Sequence, residues 1–148
     1  MKMLLLTTLL LIAPQTGRPP VECLNSALPA STLRILEPCA FLYAQLVFTA
    51  RYPAYSSSVK KIPLPGGVEY VHKKFKVLGT LSVGETSPDN RIKVCLTGDL
   101  EYDIDTLVHE YLHYLANCLY YSDLLSSFEH DRITEWIESV ERHYKRNK

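Results

Sequence analysis

An excess of either charge is missing from the sequence: 16 Lys and Arg face 16 Asp and Glu in 148 residues. Nucleic-acid binding needs a surplus of Lys and Arg to neutralise phosphates, so that class of partner is excluded. Internal repeats and low-complexity tracts are missing too. With 47% hydrophobic residues, the composition is that of one ordinary globular domain rather than a disordered chain. The four cysteines, Cys23, Cys39, Cys95 and Cys118, include no pair at C-x2–4-C spacing, which argues against a cysteine-rich zinc site.

What is present begins with a leader. Lys2 precedes an apolar run over residues 3–13, followed by Pro14, Gly17, Arg18, Pro19 and Pro20. That is the outline of a secretory signal peptide, too short to cross a bilayer, which needs roughly 20 apolar residues. Glu22 stands before Cys23 where a lipoprotein signal requires a small residue, so a lipid anchor is not expected. The reading is a signal over residues 1–20 and a mature domain over 21–148 that is secreted or periplasmic, monomeric and not inserted in the membrane. Four cysteines in an exported chain predict two disulfides, and the preferred pairing joins Cys23 to Cys39 and Cys95 to Cys118.

The hydrophobic period then divides the mature chain. Ser31 caps a short helix over 31–36, and Pro38 starts a second over 39–51 that is apolar almost all round, the pattern of a buried helix backing a sheet. From 59 to 98 short extended runs alternate with turn residues, predicting strands over 68–72, 76–83 and 91–96. Lys60, Lys61, Lys73, Lys74 and Lys76 form a basic cluster there. Solvated hairpin faces explain it most simply, with a docking patch for an acidic partner as the alternative. Helical periodicity returns over 106–117, with Asp103 or Asp105 as cap, and over 125–144. The fold class predicted is α+β: one domain with a backing helix, a small mainly antiparallel sheet and two further helices.

The chemistry lies in His109-Glu110-Tyr111-Leu112-His113, an H-E-x-x-H pentad on the first of those two helices. Histidines at i and i+4 share a face and can hold one zinc ion (Zn2+) at about 2.0–2.1 Å. Glu110 lies about 100° round the helix, outside that shell, where it serves as general base toward water at the metal. Leu107, Val108, Tyr111, Leu112, Leu115 and Leu119 form an apolar arc beside the histidines. The helix can therefore bury one face and present His109 and His113 to a cleft.

On these residues the chain resembles the zincin metallopeptidases, and its order of backing helix, strands, HExxH helix and final helix is similar to the small gluzincins. The metzincin extension HExxHxxGxxH is absent, because Ala116 and Leu119 occupy its Gly and last His positions. The gluzincin resemblance implies a Glu on the following helix as third ligand and a strand lining the substrate cleft. It also implies a Tyr or His that stabilises the developing oxyanion, for which Tyr120 and Tyr121 are available.

Within the final helix the apolar stripe is Ile133, Trp136, Ile137, Val140 and Tyr144. Glu129 falls inside that stripe, whereas Glu135 and Glu138 fall on the side assigned to water. The expected ligand set is therefore His109, His113 and Glu129, with His130 and Glu135 as the other options for the third place. A competing local role for Glu129 is an S-x-x-E capping box with Ser126. The function expected is a zinc-dependent endopeptidase acting on a peptide or protein substrate. A non-enzymatic interaction module with a zincin-like shell and a zinc amidase acting on cell-wall peptides are the alternatives.

Overall fold

The computed structural model describes residues 28–146, and side chains over 30–140. The expected signal segment and Cys23 lie outside the described residues. In chain order the elements are α1 (Leu28–Arg51), a 3-10 turn (Pro53–Tyr55), α2 (Ser56–Lys60), β1 (Glu69–Val71), β2 (Phe75–Val77), β3 (Thr80–Ser82), β4 (Gly84–Thr86), β5 (Ile92–Cys95), α3 (Leu100–Tyr121) and α4 (Ser127–Arg146). The class is α+β, as the hydrophobic periods predict. Strand β5 is the centre of a three-stranded sheet, parallel to β1 and antiparallel to β4, while β2 and β3 form a separate antiparallel hairpin.

Helix α3 is the hub. Leu107, Tyr111, Leu115 and Leu119 have no more than 1% exposure and pack with Leu33, Ala44 and Phe48 of α1, Ile133 and Ile137 of α4, and Val94 of β5. Phe41 of α1 meets the Tyr111 ring edge-on at 5.3 Å. Large apolar side chains removed from water around one helix, each worth about 1.5–3 kcal/mol, make this the core that fixes the orientation of the H-E-x-x-H face.

Several predicted elements differ from the observed ones for identifiable reasons. The two helices expected on either side of Pro38 are one helix, with Pro38 inside it. Proline removes a hydrogen bond at about 3 kcal/mol, but Pro38 and Arg34 are exposed, so water can satisfy the freed carbonyl while the packed face holds the helix together. Nor is that helix buried all round: Ile35, Leu42 and Leu46 are more than half exposed. Helix α3 starts six residues before the predicted Thr106, because Asp99 rather than Asp103 is the cap, its side chain accepting the Tyr102 N–H at 3.1 Å. Asp103 is 1% exposed and accepts from the Thr97 N–H and hydroxyl at 3.0 and 2.6 Å, tying the helix start to the end of β5. The run over 76–83 is interrupted by a turn at Leu78 and Gly79, and β4 went unpredicted.

The expected Cys95 to Cys118 bridge is absent, and Cys39, Cys95 and Cys118 carry free thiols. Cys95, at the end of β5, lies near Asp103 in the first turn of α3, whereas Cys118 is fifteen residues beyond Asp103 on that helix. At 1.5 Å per residue that is about 22 Å, far beyond the roughly 7 Å Cα separation a disulfide tolerates.

Candidate metal centre

Helices α3 and α4 form an antiparallel pair. Asn117 of α3 meets His130 of α4 at 2.9 Å, and one turn earlier on α3 His113 meets Glu138, two turns later on α4, also at 2.9 Å. The pair is therefore in register through polar contacts at two levels. Its apolar seam is supplied by Leu112, Ala116, Ile133 and Ile137.

At the second level three donor atoms converge. His109 Nε2 and His113 Nε2 are 3.2 Å apart, and Glu138 Oε1 is 2.9 Å from His113 Nε2 and 3.5 Å from His109 Nε2. Tetrahedral ligands at 2.0–2.1 Å from a zinc ion are separated by about 3.3–3.4 Å, so these three edges are close to those of one face of such a tetrahedron. The donor set, two imidazole nitrogens and a carboxylate oxygen, also suits that ion. Among the described residues His109, His113 and Glu138 are the group able to hold a metal ion. The imidazoles are mostly enclosed, at 11% and 18% side-chain exposure, and Glu138 remains 41% exposed. Hydrogen bonds from His109 and His113 hold the Glu138 carboxyl well below the usual carboxylate range, despite the opposing effect of burial.

Glu129 is not part of this group. Its carboxylate accepts the Ser126 N–H at 2.8 Å and its own N–H donates to Ser126 Oγ at 3.2 Å, so the residue completes the capping box at the start of α4. Those bonds hold its pKa below the ordinary carboxylate value. The third place moves from Glu129 to Glu138 for a reason of height: in a helical hairpin, residues at equal distance from the loop face each other. His109 and His113 lie twelve and eight residues before the end of α3, a height that Glu138, eleven after the start of α4, shares and that Glu129, only two after it, does not. The helical wheel sets Glu138 on the side away from the apolar stripe, facing water, yet it is only about 100° round from Ile137, and from that margin its side chain reaches the histidines. Glu135 is exposed, and His130 bonds Asn117 instead, its ring against Tyr120 at 4.7 Å.

Glu110 is 4% exposed and lines the same cleft, of about 250 Å³, as His109, His113 and Glu138. The opposite wall is β4. Thr86 donates its hydroxyl to Glu110 Oε2 at 2.7 Å, with the Glu110 carbonyl 3.0 Å away. At Gly84 an added Cβ would stand 2.5 Å from Glu110 Oε1 and 2.8 Å from Thr106 Cγ2, so only glycine leaves room for that carboxylate. Gly84 and Thr86 alternate toward α3 as strand geometry requires. Sequence reasoning missed both, since a three-residue strand with no large apolar residue leaves no periodic signal.

Neither tyrosine considered for an oxyanion lines the cleft. Tyr121 donates to the Pro88 carbonyl at 2.9 Å and Tyr120 stands 3.4 Å from Ser127 Oγ. Comparison of the chain with protein-family models, with curated proteins and with solved structures finds no match. The functional reading consequently rests on the site itself.

Proposed function

We propose that the chain is a zinc-dependent endopeptidase with a zincin-like site, in which His109, His113 and Glu138 hold the metal and Glu110 is the general base. The observation that carries this reading is the convergence of Nε2, Nε2 and Oε1 at 2.9–3.5 Å in a cleft that also contains a buried glutamate. A zinc ion bound there would supply Lewis acidity, polarising an acyl oxygen and acidifying water. The two histidines offer neutral imidazole nitrogens from one helical face, and Glu138 adds a negative charge that neutralises part of the ion's. Glu110, held in place by the Thr86 hydroxyl, accepts the proton of the attacking water and returns it to the leaving amine. Gly84 and Thr86 belong to β4, at the edge of the three-stranded sheet, which lines the cleft beside these groups.

Export is part of the proposal and is supported by residues 2–20 of the sequence alone. The experiment is metal analysis of the purified protein, paired with cleavage assays on a mixed peptide library and on cell-wall peptides. One zinc per chain with cleavage of ordinary polypeptides is expected. Zinc with cleavage confined to cell-wall peptides would replace the peptidase by an amidase, and absence of stoichiometric zinc would leave an interaction module.

A further inference from the structure

The β2–β3 hairpin carries a feature that the metal site does not explain. Val77 pairs with Thr80, so Leu78 and Gly79 make a two-residue turn, and both have positive φ, at 50° and 82°. A turn of this kind favours Asn or Asp before Gly, because a branched apolar side chain is strained in the left-handed region. Leu78 nevertheless stands there, 102% exposed, and Leu81 on the following strand is 61% exposed. No contact inside the fold compensates that strain. Behind the tip lie Lys73, Lys74 and Lys76, all exposed, and among the described residues none of the three forms an ion pair. Lys76 is directly opposite Leu81, on the same face of the hairpin.

We propose that this hairpin docks the protein on an anionic lipid surface, with Leu78 and Leu81 entering the interface and Lys73, Lys74 and Lys76 meeting the headgroups. Leu78 leads at the apex, Leu81 and Lys76 stand level on the strands behind it, and Lys73 and Lys74 lie further back, so an apolar tip enters ahead of most of the positive charge. An acidic peptide would pair with the lysines and leave Leu78 in water, whereas a lipid surface takes up both the apolar tip and the cationic side chains. Such docking is peripheral and reversible, since two leucines and three lysines fall far short of a spanning segment. Alternate residues of the same hairpin, Val77 and Ser82, line the cleft. Docking would therefore hold the cleft near the membrane, although the proposal does not depend on what the cleft does.

Flotation of the full chain with vesicles of phosphatidylcholine, with and without phosphatidylserine, tests this. Binding is expected only with phosphatidylserine and should weaken as salt rises. Replacing the three lysines by Gln should reduce it about fivefold per lysine. Leu78→Asn should lower binding about tenfold or more while raising Tm, since Asn suits the turn and removes the apolar tip. A merely structural Leu78 would not move those two readouts in opposite directions. Absence of binding, equal binding to phosphatidylcholine alone, or binding that survives Leu78→Asn and is competed by soluble polyglutamate would each overturn the proposal.

Discussion

Nε2 of His113 lies 2.9 Å from Oε1 of Glu138, joining the H-E-x-x-H helix to the helix that returns beside it. This contact makes Glu138 the third member of the candidate centre. Glu138→Ala should weaken zinc binding by more than the 10–100-fold typical of groups that only support a ligand, so by over about 100-fold. Glu129→Ala should leave zinc affinity unchanged and lower stability slightly, because it removes the half of the capping box that accepts the Ser126 N–H. A competing chelator and thermal unfolding read the two effects separately. The reverse pattern would return Glu129 to the site.

Thr86 is a positioning residue for Glu110. Thr86→Val removes the 2.7 Å hydrogen bond to the Glu110 carboxylate, a bond to a charged group worth about 1.5–3 kcal/mol. The expected kinetic result is a lower kcat with KM and zinc content near wild type. Thr86→Ser, which keeps the hydroxyl, should restore most of the rate, and failure of that rescue would contradict the role.

Gly84→Ala probes the same carboxylate sterically. A Cβ 2.5 Å from Glu110 Oε1 and 2.8 Å from Thr106 Cγ2 must displace Glu110 or push β4 away from α3, at about 1–3 kcal/mol for overpacking. Hydrolysis should fall by a larger factor than stability loss explains, while His109, His113 and Glu138 still hold zinc. Wild-type activity in this variant would show that the carboxylate position is not critical.

Alkaline pH should destabilise the fold through buried phenols. Burial, with a smaller effect from Cys118, pushes the Tyr114 pKa up to about 12, and burial raises Tyr70 and Tyr111 further still. In each case the folded value exceeds the unfolded value near 10, so the native state binds more protons between the two. Stability is therefore complete below about pH 10 and declines as pH rises toward the folded values. Absorbance at the phenolate band and circular dichroism should change together for these three tyrosines. Ionisation of all ten near pH 10 with the fold intact would contradict their burial.

How far the sequence carried the reading depends on the length of the signal. The H-E-x-x-H helix and its apolar arc were legible because 22 residues of helix repeat the pattern several times, and Ile92, Val94 and Leu96 are buried as their alternation predicts. Export was read from a segment beyond the described residues. The third metal-site residue was misread because a helical wheel gives phase and not height. Counting residues outward from the loop at 122–126 sets Glu129 too close to the loop and leaves Glu135 and Glu138 at the height of the histidines, a choice that only the packing of α4 on α3 decides. Gly84 and Thr86 had no signal of their own, since their role appears only when β4 is laid against α3.

On the proposed reading, proton transfer by Glu110 is separable from metal binding by His109, His113 and Glu138. Parallel measurement of zinc content and peptide hydrolysis for wild type and Glu110→Gln tests it most directly. One zinc per chain is expected in both, with hydrolysis reduced by the ~10²–10⁴-fold associated with a general base. Undiminished hydrolysis in Glu110→Gln, or loss of zinc together with activity in that variant, would contradict it.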